Sequence, residues 1–309
     1  MMSRVAVVQA SPVVGDTQAT VEKAESLIRD AGAGGAAVAV FPEAFIGGYP
    51  KGSSFDTVVG TRTEAGREEY RQYVAAAVDL DGCEVAALIE ASRDTGVFVV
   101  MGLIERHGNT LFCAAALIDP EKGLVGKHRK LMPTASERLI WGFGDGSTLD
   151  VADSAAGRVG TAICWENYMP LFRQTMYAKG VDLYCVPTVD DRDVWQSTMT
   201  HIALEGRTFV LAACQAVPKS AYPETVEFGA HVGTENWLIR GGSVIIDPLG
   251  TVLAGPVYEQ ETILYADIDL SQRTRGHFDL DTTGHYGRPD VFELTVNTRA
   301  NEGTVFSGK

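Results

Sequence analysis

Gly35-Ala36-Ala37-Val38-Ala39-Val40-Phe41-Pro42-Glu43 is an apolar run of strand length, opened by glycine and closed by proline and a carboxylate. An unbroken apolar strand, rather than an alternating one, predicts a sheet covered on both faces. The pattern returns later. Gly180 leads through Val181-Asp182-Leu183-Tyr184-Cys185-Val186 to Pro187, with the same interval from glycine to proline. A second pair echoes in the same order: Leu117-Ile118-Asp119-Pro120 and Ile245-Ile246-Asp247-Pro248 each feed a glycine-containing turn and a short apolar strand. Asp-Pro followed by Gly between apolar runs is hairpin chemistry. The expectation is two internally similar halves, each a helix-flanked sheet, in one layered α/β fold.

Between the echoes, strand-like and helix-like segments alternate. Val5 to Gln9 reads as the first strand, and Val21, Ala24, Leu27, Ile28 and Ala31 mark one face of a helix that stops at Gly32, Gly34 and Gly35. Helices are expected around 64–78, 84–95, 169–179 and 195–206. Strands are expected at 97–104, 112–118, 124–128, 158–163, 181–186, 208–213, 243–247 and 262–268. No linker or low-complexity tract divides the 309 residues, so residues 1–309 read as one domain, with those after about 270 as a C-terminal extension.

Composition excludes several functions. Twenty-six Lys+Arg against 40 Asp+Glu give a net charge of −14, a field that repels nucleic acids and anionic lipid surfaces. No apolar run approaches a membrane span, and the N-terminus lacks the apolar stretch of a signal peptide. A cytoplasmic protein with free thiols is expected, because Cys83, Cys113, Cys164, Cys185 and Cys214 form no CxxC pair. Neither metal-ligand spacing nor a phosphate-binding glycine loop is present, so no cofactor and no metal are expected.

Cys164 follows the apolar strand ending at Ile163 and precedes Pro170, a residue suited to the first turn of a helix. A strand-to-helix elbow there aims N–H groups and the helix dipole at the thiol, favouring thiolate. The plainer reading of a free cysteine is a small buried hydrophobe, which suits Cys83, Cys113, Cys185 and Cys214. A thiol nucleophile needs a base and a cation. Glu43 emerges at a strand end, where burial would raise its pKa toward that of a base. The run Lys127-His128-Arg129-Lys130 stands out from an acidic background, and one of its cations near Cys164 would lower the thiol pKa. A Cys–His pair is the competing chemistry. His107, His128, His201, His231, His277 and His285 are candidates by number only, and none has a local protease signature.

These residues carry a resemblance. FPEAFIGGYPKGSSF (41–55), HRKLMPTASERLIWGFGDGS (128–147), CWENYMP (164–170), WQSTMTHIALEGRTFVLAACQ (195–215) and GHYGRPDVFEL (284–294) resemble the true nitrilase branch of the carbon–nitrogen hydrolase superfamily. The resemblance implies a four-layer αββα sandwich and a homodimer able to form larger homo-oligomers. It implies hydrolysis of a small-molecule nitrile to acid and ammonia, with Cys164 as nucleophile, Glu43 as general base and Lys130 as stabilising cation. Glu137 matches the second glutamate, which positions the reacting groups. The Trp165 N–H matches part of an oxyanion site, and Tyr49, Trp141 and Tyr168 match pocket-lining positions. An amidase or carbamoylase of the same superfamily would share the three catalytic residues, and a catalytically silent binding protein on this fold is the reading from another class. Two assembly expectations complete the reading. The helix Met169 to Lys179 carries Met169, Leu171, Phe172, Met176 and Tyr177 around more of its circumference than one core stripe requires. Part of it is therefore expected to pack against a two-fold mate through whichever of Phe172, Met176 or Tyr177 is exposed. The short segment after Leu294 is expected to favour discrete oligomers over filaments.

Overall fold

The computed structural model describes residues 2–222 and 236–301; His231 lies outside them. The first half contains β1 (Met2–Gln9), α1 (Thr17–Ala33), β2 (Val38–Val40), α2 (Glu64–Ala76), α3 (Cys83–Thr95), β3 (Phe98–His107), β4 (Thr110–Asp119) and β5 (Gly123–Arg129). The second contains β6 (Val151–Ser154), β7 (Gly157–Thr161), α4 (Pro170–Ala178), β8 (Leu183–Thr188), α5 (Trp195–Gly206), β9 (Phe209–Cys214), β10 (Ala216–Pro218), β11 (Trp237–Ile246) and β12 (Val252–Tyr258). β13 (Thr262–Asp269) and α6 (Ser271–Asp279) follow.

The two sheets share one plan. In the first, β1, β2 and β3 are parallel, β4 and β5 continue antiparallel, and β13 adds antiparallel to the free edge of β1. In the second, β7, β8 and β9 are parallel, β11 and β12 continue antiparallel, and β6 adds antiparallel to β7. The sequence echoes fall on equivalent strands: β2 with β8, and the end of β4 with the end of β11. β10 is an addition, pairing with the start of β11.

Strand alternation builds the four layers. Val5, Val7, Val38, Val40 and Val100 point inward, where they meet Val159, Leu183, Cys185, Leu211 and Ala213 of the second sheet. Their neighbours Ala6, Val8, Ala39 and Val99 point outward onto Val21, Ala24 and Ile28 of α1 and Leu88 of α3. Tyr184, Val186 and Val210 do the same against Met176 of α4 and Met199 and Ile202 of α5. Burying each such aliphatic side chain stabilises by roughly 1.5–3 kcal/mol, so this parity fixes the register of both sheets.

The structure places two groups of residues differently from the sequence reading and adds one strand. Phe172, Met176 and Tyr177, the candidates for an exposed contact, are all buried in their own subunit, because α4 is sunk against β8 and α5; Leu171 is its exposed large apolar residue. Cys83 is exposed at the start of α3 rather than a core residue. β6, whose residues are only partly buried, carries too little apolar signal to be read as a strand. Among the described residues no helix is long and apolar enough to cross a membrane.

Candidate active site

Glu43 leaves β2 through Phe41 and Pro42 and lies across β3, where Phe45 and Ile46 donate to the Gly102 carbonyl. Gly102 permits this approach, since a Cβ there would sit 1.9 Å from the Pro42 carbonyl oxygen. The next residue, Ala44, has φ 50°. Glu43 is thereby buried rather than left on an exposed loop. Its main-chain carbonyl is held by Gln215 Nε2 at 2.7 Å.

The basic run divides by strand parity. Lys127 and Arg129 turn one way and share Glu105, at 2.7 Å each. His128 and Lys130 turn the other way, into the interior. Lys130 Nζ donates to Glu43 Oε1 at 2.6 Å and to Glu137 Oε2 at 2.8 Å. Glu137 is no surface acid. It is buried on the short 3-10 turn Ala135–Leu139 and accepts from Tyr49 Oη at 2.7 Å and Thr134 N–H at 2.6 Å. A buried ammonium between two carboxylates keeps its proton: burial disfavours the charge, but Glu43, with the neighbouring thiols and Glu137, raises its pKa well above the usual lysine value.

Cys164 ends the run after β7 with φ 50°, a left-handed conformation rare for a side chain of this kind. Asn167 Nδ2 holds that turn by donating to the carbonyls of Cys164 at 2.7 Å and Ala162 at 3.2 Å. The elbow opens into a 3-10 turn, Cys164–Tyr168, and α4 begins only at Pro170, so the α-helix dipole is one turn removed from the thiol. The thiol's acidity also departs from expectation. Burial raises the Cys164 pKa and Glu43 raises it further; Lys130 and the Thr188 hydroxyl oppose without overcoming them. That direction favours the thiol over the thiolate at rest. Glu43 has a raised pKa of its own, from burial first, with Lys130 opposing and Glu137 adding. Its Oε2 is buried without a hydrogen-bond partner among the described residues, so it has lone pairs free to take a proton.

Sequence reasoning missed Cys113. Its thiol lies 3.5 Å from Glu43 Oε1, and its carbonyl accepts from Lys130 N–H at 2.8 Å. A cysteine in an apolar strand gives no sign of this contact. The aromatic residues separate into two groups. Trp141 is buried with Lys130 Nζ 5.5 Å from its ring, and Tyr49 packs against it at 5.8 Å. Trp165 and Tyr168 form a patch that is 42% and 43% exposed, their rings 5.7 Å apart, with Trp165 Nε1 donating to Asp190 at 2.8 Å. A cavity of about 510 Å³ is walled by Tyr49 and Gln215, which hydrogen-bond Glu137 and the Glu43 carbonyl, and by Tyr73, Val217 and Ile239; Glu43, Lys130, Glu137 and Cys164 do not line it. His128 is tied to the elbow, but its ring nitrogens face Glu166 and Thr148 rather than Cys164.

A buried acid–ammonium–acid cluster beside a strained cysteine can run acyl-transfer chemistry without a histidine base. The carbon–nitrogen hydrolase family model matches residues 4–277, and the chain belongs to that family of hydrolases. Its relatives carry a narrower name. A nitrilase of Bradyrhizobium diazoefficiens is 56% identical over 96% of this chain and 92% of its own. An aliphatic nitrilase of Sinorhizobium fredii is 54% identical over 98% of each chain. A bifunctional nitrilase/nitrile hydratase of Nicotiana tabacum is 53% identical over 98% of this chain and 88% of its own. Among solved structures, the C. elegans NitFhit protein aligns with TM-score 0.74 at 20% identity, over 98% of this chain and 69% of its own. An amidase from Nesterenkonia aligns at 0.66 and 19% identity, over 90% of this chain and 95% of its own. These structural likenesses are of fold.

Proposed function

We propose that the protein is a nitrilase, converting an organic nitrile and two waters to the carboxylic acid and ammonia. Glu43 takes the Cys164 thiol proton as Sγ bonds to the nitrile carbon, and the proton passes to the nitrile nitrogen, giving a thioimidate. Water adds to that carbon, giving a proton to Glu43. Glu43 passes that proton to the nitrogen; the added hydroxyl gives up its own proton to the nitrogen as it becomes the carbonyl, the C–N bond breaks, and ammonia leaves. A second water attacks the resulting thioester, the C–S bond breaks, and the thiol recovers its proton as the acid departs. Lys130 stays an ammonium throughout, stabilising the charge that builds at the former nitrile centre, helped by the Trp165 N–H. Glu137 holds Lys130, and Tyr49, Trp141, Trp165 and Tyr168 contribute to substrate binding.

The observation that carries this reading is the Lys130 ammonium held at 2.6 Å from Glu43 and 2.8 Å from Glu137, with Glu43 and Lys130 both acting on the Cys164 thiol. The nitrilase names of relatives at 53–56% identity favour a nitrile over the amide of an amidase or carbamoylase. The full assignment includes a homodimer able to form larger homo-oligomers, a cytoplasmic location, and a C-terminal extension after about residue 270. A panel of aliphatic, arylacetic and aromatic nitriles with their matched amides, read by ammonia release, tests the activity. Release from amides alone would replace the nitrilase reading with an amidase. Release from neither, with no selective labelling of Cys164 by iodoacetamide, would favour a silent binding protein.

A further inference from the structure

Glu166, two residues after Cys164, and His128, two residues before Lys130, are both buried and have no part in the chemistry above. Glu166 Oε2 accepts from the Ile163 N–H at 2.8 Å and from His128 Nε2 at 2.8 Å, while Oε1 accepts from the Leu131 N–H at 2.5 Å. One carboxylate therefore grips the Ala162–Ile163 peptide, one residue before Cys164, and the Lys130–Leu131 peptide that leaves Lys130. His128 Nδ1 meets the Thr148 carbonyl at 3.1 Å. A carbonyl only accepts, so Nδ1 is the donor to Thr148, and donation from Nε2 to Glu166 as well corresponds to the imidazolium form of His128. Burial disfavours that charge, but Glu166, assisted by the Thr148 carbonyl and Asp150, raises the His128 pKa. The Phe172 ring covers the imidazole at 5.4 Å.

We propose that Glu166, braced by His128, is a positioning residue that sets the Cys164 thiol against the Lys130 ammonium through the two peptides it grips. A left-handed cysteine persists only where its surroundings over-determine it, and the Ile163 bond fixes the residue next to that strain. A small misplacement of reacting groups has a large kinetic effect, on the order of 100-fold for 1 Å. The turnover readout rests on the nitrilase reading; alkylation of Cys164 does not.

The test compares three variants. Glu166→Gln places an amide NH₂ where only acceptors fit. It should lower kcat on the order of 100-fold and slow iodoacetamide labelling of Cys164 in parallel, with KM little changed. The two histidine variants divide the imidazole: His128→Gln can still donate to Glu166, whereas His128→Asn can donate only toward Thr148. Both remove the same charge, yet the Gln variant should keep about tenfold more kcat and labelling rate than the Asn variant. A role confined to packing would lower Tm alike in both and leave kcat and labelling near wild type; equal kinetics for the two histidine variants would overturn the proposal. If Glu166→Gln fails to fold, the histidine pair still decides. If the wild type releases no ammonia from nitriles but labelling follows the predicted order, the assigned reaction fails and the positioning role stands.

Discussion

Burial beside a carboxylate favours the thiol form of Cys164, so in the proposed mechanism Glu43 removes its proton as the carbon–sulfur bond forms. The raised Glu43 pKa puts the acid limb of kcat above the ordinary glutamate value near 4.3, since the base acts only when ionised. Cys113 modulates that limb: its thiol favours the ionised carboxylate. Cys113→Ala should therefore move the acid limb of the pH–rate profile upward with little change at the plateau; a downward shift would exclude the contact. Lys130→Met keeps the length but removes the cation that opposes the high Cys164 pKa. We expect a fall in kcat of about 10²–10³-fold, as for loss of an electrostatic stabiliser, measured in steady state at several pH values. Near-normal turnover in Lys130→Met would remove lysine from the mechanism.

At the level of elements, β5 shows why charge clusters in a sequence are ambiguous. Four consecutive cations or imidazoles look like one solvated edge. Alternation sends two to Glu105 and two into the interior, where each finds its own acid. The motif was readable; its partition needed the partner strand and the Cys164 elbow. Glu43 and Cys164 were legible because each follows an apolar run whose end projects a side chain from the sheet. Cys113 and Glu166 were not, because their roles depend on contacts far apart in sequence. The His128–Glu166 brace also makes a stability prediction. The folded pKa of His128 is raised above about 6.5, so the native state binds the extra proton more tightly than the unfolded chain. Its contribution is fully present below about pH 6.5 and is lost as pH rises through the folded pKa. Urea midpoints should fall with pH in that window, and His128→Gln should flatten this part of the slope.

Across the whole molecule, two short echoes anticipated the architecture because equivalent strands face equivalent demands. β2 and β8 are each the middle of three parallel strands, and β4 and β11 each begin the antiparallel return. The apolar excess on α4 has a core explanation. Phe172, Met176 and Tyr177 looked like more apolar surface than one domain requires, yet the core of the second half uses all three. Phe172→Ala should accordingly cost about 3–5 kcal/mol of stability in urea unfolding, as expected for a buried aromatic. A loss below about 1 kcal/mol, within the range of a surface substitution, would contradict its place in the core. A dimer packing through α4 would use Leu171, 67% exposed on the same helix, and Leu171→Arg with light scattering as the readout tests that contact. The central claim, nucleophilic hydrolysis of a nitrile by Cys164, has a more direct test. Ammonia release from a nitrile should be measured side by side for the wild type and a folded Cys164→Ala variant. The account predicts one ammonia and one carboxylic acid per nitrile consumed by the wild type and no turnover by the variant; wild-type ammonia release persisting in Cys164→Ala would contradict it.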